Sequence, residues 1–162
     1  MIETDFGVKG VVQSLQNYQV YLNINESEKQ GKDVAEVKKA VIKTLQSKPF
    51  ITTVYETGKL ASVTLAEPLK AMLTNGYNNK RSGDIQFILK PGYFDGGTKG
   101  TTHGLWNPYD AHIPCVFFGW GVKPGKTHRE TYMTDIAPTI AALLHIQMPN
   151  GCVGKVITEV VK

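Results

Sequence analysis

The amino-acid sequence predicts a mixed fold of helices and strands, in the α+β class. Strand-like and helix-like patterns alternate between Tyr18 and Lys90, and turn-forming residues separate them. A continuous apolar run at Ile113–Trp120 and a helical pattern after Thr134 follow. With 162 residues, of which 41% are hydrophobic, the chain is long enough to bury a core, as one globular unit or as two small subdomains.

Two elements and a loop are predicted before residue 33. Weak helical periodicity at Phe6–Gln16 predicts a first helix. Tyr18–Asn23 alternates between apolar and polar residues, which predicts a strand. Asn25–Lys32 is polar and contains Gly31, so it is expected to form a loop.

A helix with clear ends is predicted from Val34 to about Ser47. Asp33 is of a residue type that caps helix N-termini, and Glu36 three positions later would complete a reciprocal capping pattern. Pro49 ends the helix because proline has no backbone N–H to donate.

Two strands and another helix complete the pattern up to Lys90. Phe50–Glu56 and Asp84–Lys90 are rich in β-branched and aromatic residues, which predicts strands. Leu65–Asn75 has an apolar helical face, and Asn75-Gly76 is expected to end that helix. The order predicts a small α+β subdomain over residues 1–90, built on an antiparallel or mixed sheet and similar to a ferredoxin-like half.

The C-terminal part contains a predicted strand and a predicted helix. Ile113–Trp120 is continuously apolar and rich in β-formers, so a short buried strand is expected, with Cys115 inside it. Thr134 or Asp135 is expected to cap the helix that follows. Cys115 and Cys152 do not establish a disulfide by themselves, and one buried thiol plus one loop thiol is the favoured interpretation.

The segment Gly100–Pro114 contains the candidate functional residue, His103. Gly100 and Gly104 allow the tight turns that present a loop histidine to a metal ion. A metal-binding histidine also needs an acceptor for its other ring nitrogen, and Asp110, His112 or a backbone carbonyl could serve. A histidine packed at the entrance of a strand is the alternative interpretation for His112.

Several ordered motifs after Asn75 resemble the C-terminal part of a bacterial alkaline phosphatase superfamily enzyme. The resemblance is to the single-chain phosphate-monoesterase branch with a threonine nucleophile, which is related to nucleotide pyrophosphatase/phosphodiesterases. The motifs are Gly-Thr-Thr-His-Gly at 100–104, Tyr-Asp-Ala-His-Ile-Pro at 109–114, Phe-Gly-Trp-Gly at 118–121, Met-Thr-Asp-Ile-Ala-Pro-Thr at 133–139 and Pro-Asn-Gly-Cys-Val-Gly-Lys at 149–155.

The resemblance implies a fold, a metal and a mechanism. Residues 91–162 would be the C-terminal part of an α/β/α sandwich core, with residues 1–90 as an insert. His103 would ligate one of two zinc ions, a threonine would attack phosphorus in line, and the phospho-threonine would then be hydrolysed. The intact enzyme is expected in the periplasm or secreted.

Most of the site that the resemblance implies is missing from these residues. The other zinc ligands would include an Asp-x-x-x-His and an Asp-His pair, and neither pattern occurs in the sequence. A two-metal site needs several protein ligands for each ion. The chain is therefore expected to be a fragment that needs the missing N-terminal part of the same protein and is inactive alone.

Charge and hydropathy indicate neither a nucleic-acid partner nor a membrane span. The net charge is +4, but the basic residues are dispersed, and Lys38-Lys39 and Lys80-Arg81 are too short for a nucleic-acid patch. No signal peptide or membrane-length apolar run is visible. Arg81 could contact phosphate, but the favoured interpretation is a turn in which this arginine packs or pairs structurally with Asp84, Asp95 or Asp110.

Two other functional classes stay open at this point. The first is a phosphodiesterase or sulfatase of the same superfamily, because such enzymes would share the metal ions and core and differ in the substrate pocket. The second is a non-catalytic binding domain, which the missing ligands and the three-strand unit would favour.

Overall fold

The computed structural model describes residues 9–96, 99–100 and 103–161. It divides into two compact units, which meet in the sequence between His112 and Ile113 and are called unit 1 and unit 2. The division predicted after residue 90, on the basis of the enzyme family, stays a prediction for the complete protein.

Unit 1 contains a four-stranded sheet. Its strands are β1 (Val12–Gln16), β2 (Gln19–Leu22), β3 (Ile51–Glu56) and β4 (Ile85–Leu89). Their order in the sheet is β1-β2-β4-β3, and each neighbouring pair is antiparallel. This confirms the predicted α+β class and the strands predicted at Phe50–Glu56 and Asp84–Lys90.

Six α-helices lie among the described residues. They are α1 (Ile24–Lys29), α2 (Val34–Gln46), α3 (Glu67–Gly76) and α4 (Pro108–Ala111) in unit 1, and α5 (Ile136–Leu143) and α6 (Thr158–Val161) in unit 2. Short 3-10 helices occur at Thr57–Ser62 and Met133–Asp135.

The helix predicted at Phe6–Gln16 is wrong where the structure describes it. Residues 12–16 form β1, which pairs with β2 through a two-residue turn at Asn17 and Tyr18. Both turn residues have positive φ, 52° and 60°, as a type I′ hairpin turn requires. Cross-strand pairing outweighed a weak helical pattern, and residues 1–8 lie outside the described part.

The loop predicted at Asn25–Lys32 is also wrong, because α1 occupies most of it. The Asn23 side chain accepts a hydrogen bond from the backbone N–H of Glu26 at 3.1 Å and so caps the helix. The next helix, α2, follows the prediction, since Asp33 accepts from the backbone N–H of Ala35 at 2.9 Å. Glu36 does not complete the reciprocal cap and pairs with Lys39 instead.

Each face of the sheet packs against a helix. On one face, Val20 and Ile85 are buried with Val41 and Leu45 of α2. On the other face, a second cluster forms around α3 and the 3-10 helix that precedes it; its buried members are Tyr55, Leu60, Leu69 and Ile88. The sheet therefore forms the rigid centre of unit 1.

In unit 2 the strand predicted at Ile113–Trp120 is absent. These residues are irregular, Cys115 is exposed rather than buried, and the side chain of Phe118 is 98% exposed. A β-strand requires a neighbouring backbone for its hydrogen bonds, and none pairs with this segment among the described residues. Both cysteines are free thiols.

Unit 2 is organised around the start of α5. Asp135 Oδ1 accepts from the backbone N–H of Lys155 at 2.8 Å, and Oδ2 accepts from that of Tyr132 at 3.0 Å. Thr139 Oγ1 donates to the Asp135 carbonyl at 2.6 Å and accepts from the Ile157 N–H at 2.9 Å. The predicted helix is thus confirmed, and Asp135 is its N-cap residue by position. Its side chain makes no capping hydrogen bond to α5 and instead holds the backbone of Tyr132 and Lys155, so the predicted capping interaction is wrong.

Candidate functional site

His103 lies in a loop whose flanking glycines have the conformation that the sequence suggested. Gly100 and Gly104 have φ of 92° and 119°, values that side-chain-bearing residues rarely adopt. The imidazole is 88% exposed, and its Nδ1 lies 3.4 Å from Asp110 Oδ1. Thr101 and Thr102, which belong to the same motif, lie outside the described residues.

Asp110 is held in place by its own contacts. It lies in the first turn of α4, and its Oδ2 accepts a hydrogen bond from the backbone N–H of Leu105 at 2.8 Å. Its side chain is only 14% exposed. One carboxylate oxygen is therefore fixed by the backbone while the other faces the imidazole of His103.

The tautomer of a neutral His103 ring follows from this contact. A carboxylate beside Nδ1 favours a proton on that nitrogen, in the neutral ring or in the cation. In the neutral ring the lone pair is then on Nε2, the state that a metal-binding imidazole needs. The arrangement can therefore orient a single imidazole ligand.

The residues after His103 fasten the loop to the sheet of unit 1. Leu105 packs against the core on the α2 side, and Trp106 packs against the core on the α3 side. Tyr109 Oη accepts a hydrogen bond from the backbone N–H of Gly92 at 2.8 Å, which connects α4 to the turn after β4. Sequence reasoning did not identify Leu105 or Tyr109 as positioning residues, because their contacts depend on the fold.

Two buried polar groups next to this loop lack hydrogen-bond partners in the part of the chain that the structure describes. They are the Nε1 of Trp106 and the Nδ2 of Asn107. Buried donors are nearly always satisfied in complete proteins. These two groups identify a place where further contacts are expected.

The remaining sequence candidates are more dispersed. His112 is exposed, and no hydrogen bond of its ring is seen within residues 103–161, so its suggested contact with His103 stays a prediction. Asp84 pairs with Lys38 at 3.2 Å, which the sequence analysis missed, and no ion pair of Arg81 occurs in the described ranges. Across those ranges no three His, Cys, Asp or Glu side chains form a set that could hold a metal ion.

Comparison with known proteins identifies relatives along nearly the whole chain, although no family model matches. A protein of Myroides odoratus named calcium-transporting ATPase is 50% identical over 99% of the chain. The alkaline phosphatase PafA of Elizabethkingia meningoseptica is 43% identical over 99% of it, and PhoV of Synechococcus elongatus is 45% identical over 90%.

The structural comparison agrees with the relatives. The crystal structure of wild-type PafA superposes with a TM-score of 0.89 at 42% identity, over 99% of this chain and 31% of PafA. A substituted form of PafA gives a TM-score of 0.88.

The matches cover nearly all of this chain but only part of each relative. The chain spans 30% of the Myroides protein, 30% of PafA and 26% of PhoV. Two of these three relatives carry the name alkaline phosphatase, and the solved structures carry it too. The chain is therefore a fragment of a PafA-like enzyme and corresponds to less than a third of the length of these relatives.

Proposed function

We propose that this chain is part of a zinc-dependent phosphatase that hydrolyses phosphate monoesters through a phospho-threonine intermediate. The geometry of His103 supports this most directly, because its Nδ1 faces a backbone-anchored Asp110 in a loop shaped by two glycines. The names of PafA and PhoV support the reaction class.

The donor chemistry at His103 suits zinc. Imidazole nitrogen is a common zinc ligand, and the other ring nitrogen of such a ligand is regularly held by a carboxylate. In our proposal Asp110 fixes the ring orientation and His103 donates the lone pair of Nε2. Zinc bound there would supply positive charge next to the oxygens of the phosphate group.

The nucleophilic threonine and the other zinc ligands are proposed to lie outside this chain. The residues that the structure describes bring no three potential ligands together, and the matched relatives are about three times as long. We therefore propose that the chain alone is inactive. For the complete protein we propose a periplasmic or secreted location, in line with the resemblance to alkaline phosphatases.

The first experiment changes the ligand and its partner in the complete protein. We expect His103→Ala to lower zinc content and to reduce hydrolysis of p-nitrophenyl phosphate by orders of magnitude, because a direct ligand is lost. We expect Asp110→Asn to reduce zinc affinity or activity by about 10- to 100-fold, the usual effect of removing the group that orients a metal ligand.

Matched histidine variants test whether the effect is specific. His128→Ala, which changes an exposed histidine of unit 2, should leave zinc content and rate near wild type. His112→Ala separates the two interpretations of that residue, since only a hydrogen bond to the metal site would make it affect zinc affinity. Normal zinc content and activity in His103→Ala would refute the proposed ligand.

A second candidate is a related esterase or an ATP-hydrolysing enzyme. The name of the Myroides odoratus relative is the specific observation that adds ATP to the substrates worth testing. Rates on a phosphate monoester, a phosphate diester, a sulfate ester and ATP would separate these possibilities. We expect the monoester to be hydrolysed fastest, and a faster diester, sulfate or ATP reaction would replace this part of the proposal.

A further inference from the structure

Unit 1 contains a cavity of about 620 Å³ whose lining includes neither His103 nor Asp110. It is formed by β1, the turn at Asn17 and Tyr18, the C-terminal end of α2, the start of β3 and the residues after β4. Its volume lies in the range of sites that bind small molecules, roughly 300–1,000 Å³. The cavity is therefore large enough for a ligand of its own.

Aromatic side chains form much of the cavity wall. Tyr18 and Phe87 make an edge-to-face pair with ring centroids 5.8 Å apart, and Phe50 and Tyr93 make a tilted pair at 6.1 Å. Phe94 also lines the cavity and is half-exposed. Such a wall offers a large apolar contact area that solvent still reaches.

Tyr18 is held in this wall by an uncommon backbone conformation. Its φ of 60° is unfavourable for a bulky side chain. The hairpin turn and the edge-to-face contact with Phe87 hold it there, and its Oη accepts from the backbone N–H of Asp95 at 3.4 Å. Because the type I′ turn requires this φ, the turn and these contacts fix the Tyr18 ring in the wall.

The charged groups of the lining differ in their environments. Lys48, just beyond α2, is half-buried, and its Nζ has no carboxylate or hydrogen-bond partner within the described ranges. Asp95 also lines the cavity, but it is exposed, so water and salt screen its charge more strongly. Of the two charged residues in the lining, the lysine is therefore the less exposed.

We propose that this cavity binds an amphiphilic anion, with the apolar body against the aromatic wall and the anionic head near Lys48. An acyl or aromatic carboxylate has this chemistry. Apolar contact would provide most of the affinity, and the ammonium of Lys48 would select the anion over a cation of the same shape.

The test uses the complete protein without added zinc and measures binding calorimetrically. Decanoate and decyltrimethylammonium, both below their micelle concentrations, serve as probes with equal alkyl chains and opposite charges. We expect decanoate to bind at one site at least about tenfold more tightly, which is the scale of one charge-assisted contact.

Variants locate the site. Lys48→Met should abolish the preference for decanoate, whereas Lys43→Met, an exposed lysine in the last turn of α2, should leave it unchanged. Phe94→Ser should weaken both probes, and Phe118→Ser in unit 2 should weaken neither. Circular dichroism of each variant confirms that the fold is retained.

Three outcomes would overturn the proposal. They are no binding of decanoate to the folded complete protein, equal affinity for both probes, and equal effects of Lys48→Met and Lys43→Met. The first would indicate that another part of the complete protein fills the cavity, and the second that contact is purely apolar.

Discussion

The two units differ in how much of their apolar surface each buries by itself. In unit 1 the sheet is covered on both faces, and Ile85 in its central strand β4 is completely buried. In unit 2 the residues Val116, Phe118 and Trp120 are each more than four-fifths exposed. Both units carry strand-like apolar sequences, but among the residues that the structure describes, only those of unit 1 supply the neighbouring backbone that such sequences need.

The two units differ in the kind of interaction that stabilises them. Unit 1 is stabilised mainly by apolar packing between a sheet and two helices. The described core of unit 2 is smaller, with Ala141 and Ile157 buried beside a polar network around Asp135 and Thr139. An apolar sequence predicts that a segment will be buried. Whether it forms a strand, and what it packs against, depends on the neighbouring elements.

The largest expected effect is on the free energy of unfolding of the complete protein, measured for one isoleucine variant in each unit. Ile85→Ala in unit 1 should lower the free energy of unfolding by about 3 kcal/mol, because a buried side chain leaves a cavity. Ile146→Ala in unit 2 removes a side chain that is 60% exposed and should change it by less than about 0.5 kcal/mol.

Chemical denaturation with separate probes in each unit measures both values. A large loss in Ile146→Ala would mean that the exposed apolar residues of unit 2 are covered in the complete protein. The difference in buried apolar surface between the two units would then hold for this chain by itself and not for the complete protein.

The fold of unit 1 could be predicted in large part because its signals are local. Asp33 caps α2 as its residue type suggests, and β3 and β4 start and end within one residue of the predicted bounds. The hairpin of β1 was missed because cross-strand contacts with β2 decided it. Asn23 was not recognised as a cap, so α1 was taken for a loop.

The candidate site could be predicted only in part, for a similar reason. His103 lies within three positions of both glycines, and Asp110 follows seven positions later, so their proximity could be anticipated. The amide of Leu105 that fixes Asp110 depends on the path of the loop. Ile113–Trp120 was predicted to be a strand from composition, which carries no information about its hydrogen-bond partner.

Gly154 tests how closely the polar network of unit 2 is packed. A Cβ at this position would overlap the Thr134 carbonyl, far inside van der Waals contact, so the backbone must move to admit it. We expect Gly154→Ala to cost about 2–3 kcal/mol, the upper part of the range for overpacking. Gly125→Ala is the matched control, since a Cβ there meets nothing within 4 Å.

Hydrogen exchange of the Lys155 and Ile157 amides reports this effect locally. Both amides donate to the network and should exchange faster in Gly154→Ala, while the amides of β4 in unit 1 remain protected. Equal exchange rates in the two glycine variants would show that the tail is not held by the network.

The pH dependence of unit 2 should be set in part by Asp135. The backbone N–H of Lys155, and then that of Tyr132, lower the pKa of this carboxyl below its ordinary value of 3.8. A lowered pKa in the folded state stabilises the protein above the pKa of the unfolded chain, and this contribution is lost as the pH falls through the folded value. Stability of unit 2 should therefore decline below about pH 3.8.

The isosteric variant Asp135→Asn removes this dependence. It should cost about 1–2 kcal/mol at neutral pH, because an amide NH₂ replaces one of two accepting oxygens. It should also flatten the acid branch of the stability curve of unit 2 and leave that of unit 1 unchanged. An unchanged acid branch would assign the pH dependence to other carboxylates.

The smallest effect is expected at the surface of unit 2, where Arg129 and Glu159 form a two-point ion pair. Arg129 Nε and Nη2 donate to the two carboxylate oxygens, each at 3.0 Å, and the guanidinium lowers the pKa of Glu159 to about 2. The ion pair should therefore stabilise the folded state above the ordinary glutamate pKa of 4.5, and this stabilisation should be lost as the pH falls towards 2. Both side chains are about 40% exposed, so solvent and salt screen the pair strongly.

Arg129→Met should therefore lower the melting temperature only slightly at low ionic strength and not at all in concentrated salt. Lys126→Met, which removes a neighbouring charge with no ion pair in the described ranges, controls for net charge. A loss that persisted in concentrated salt would mean that this pair is shielded from solvent in the complete protein.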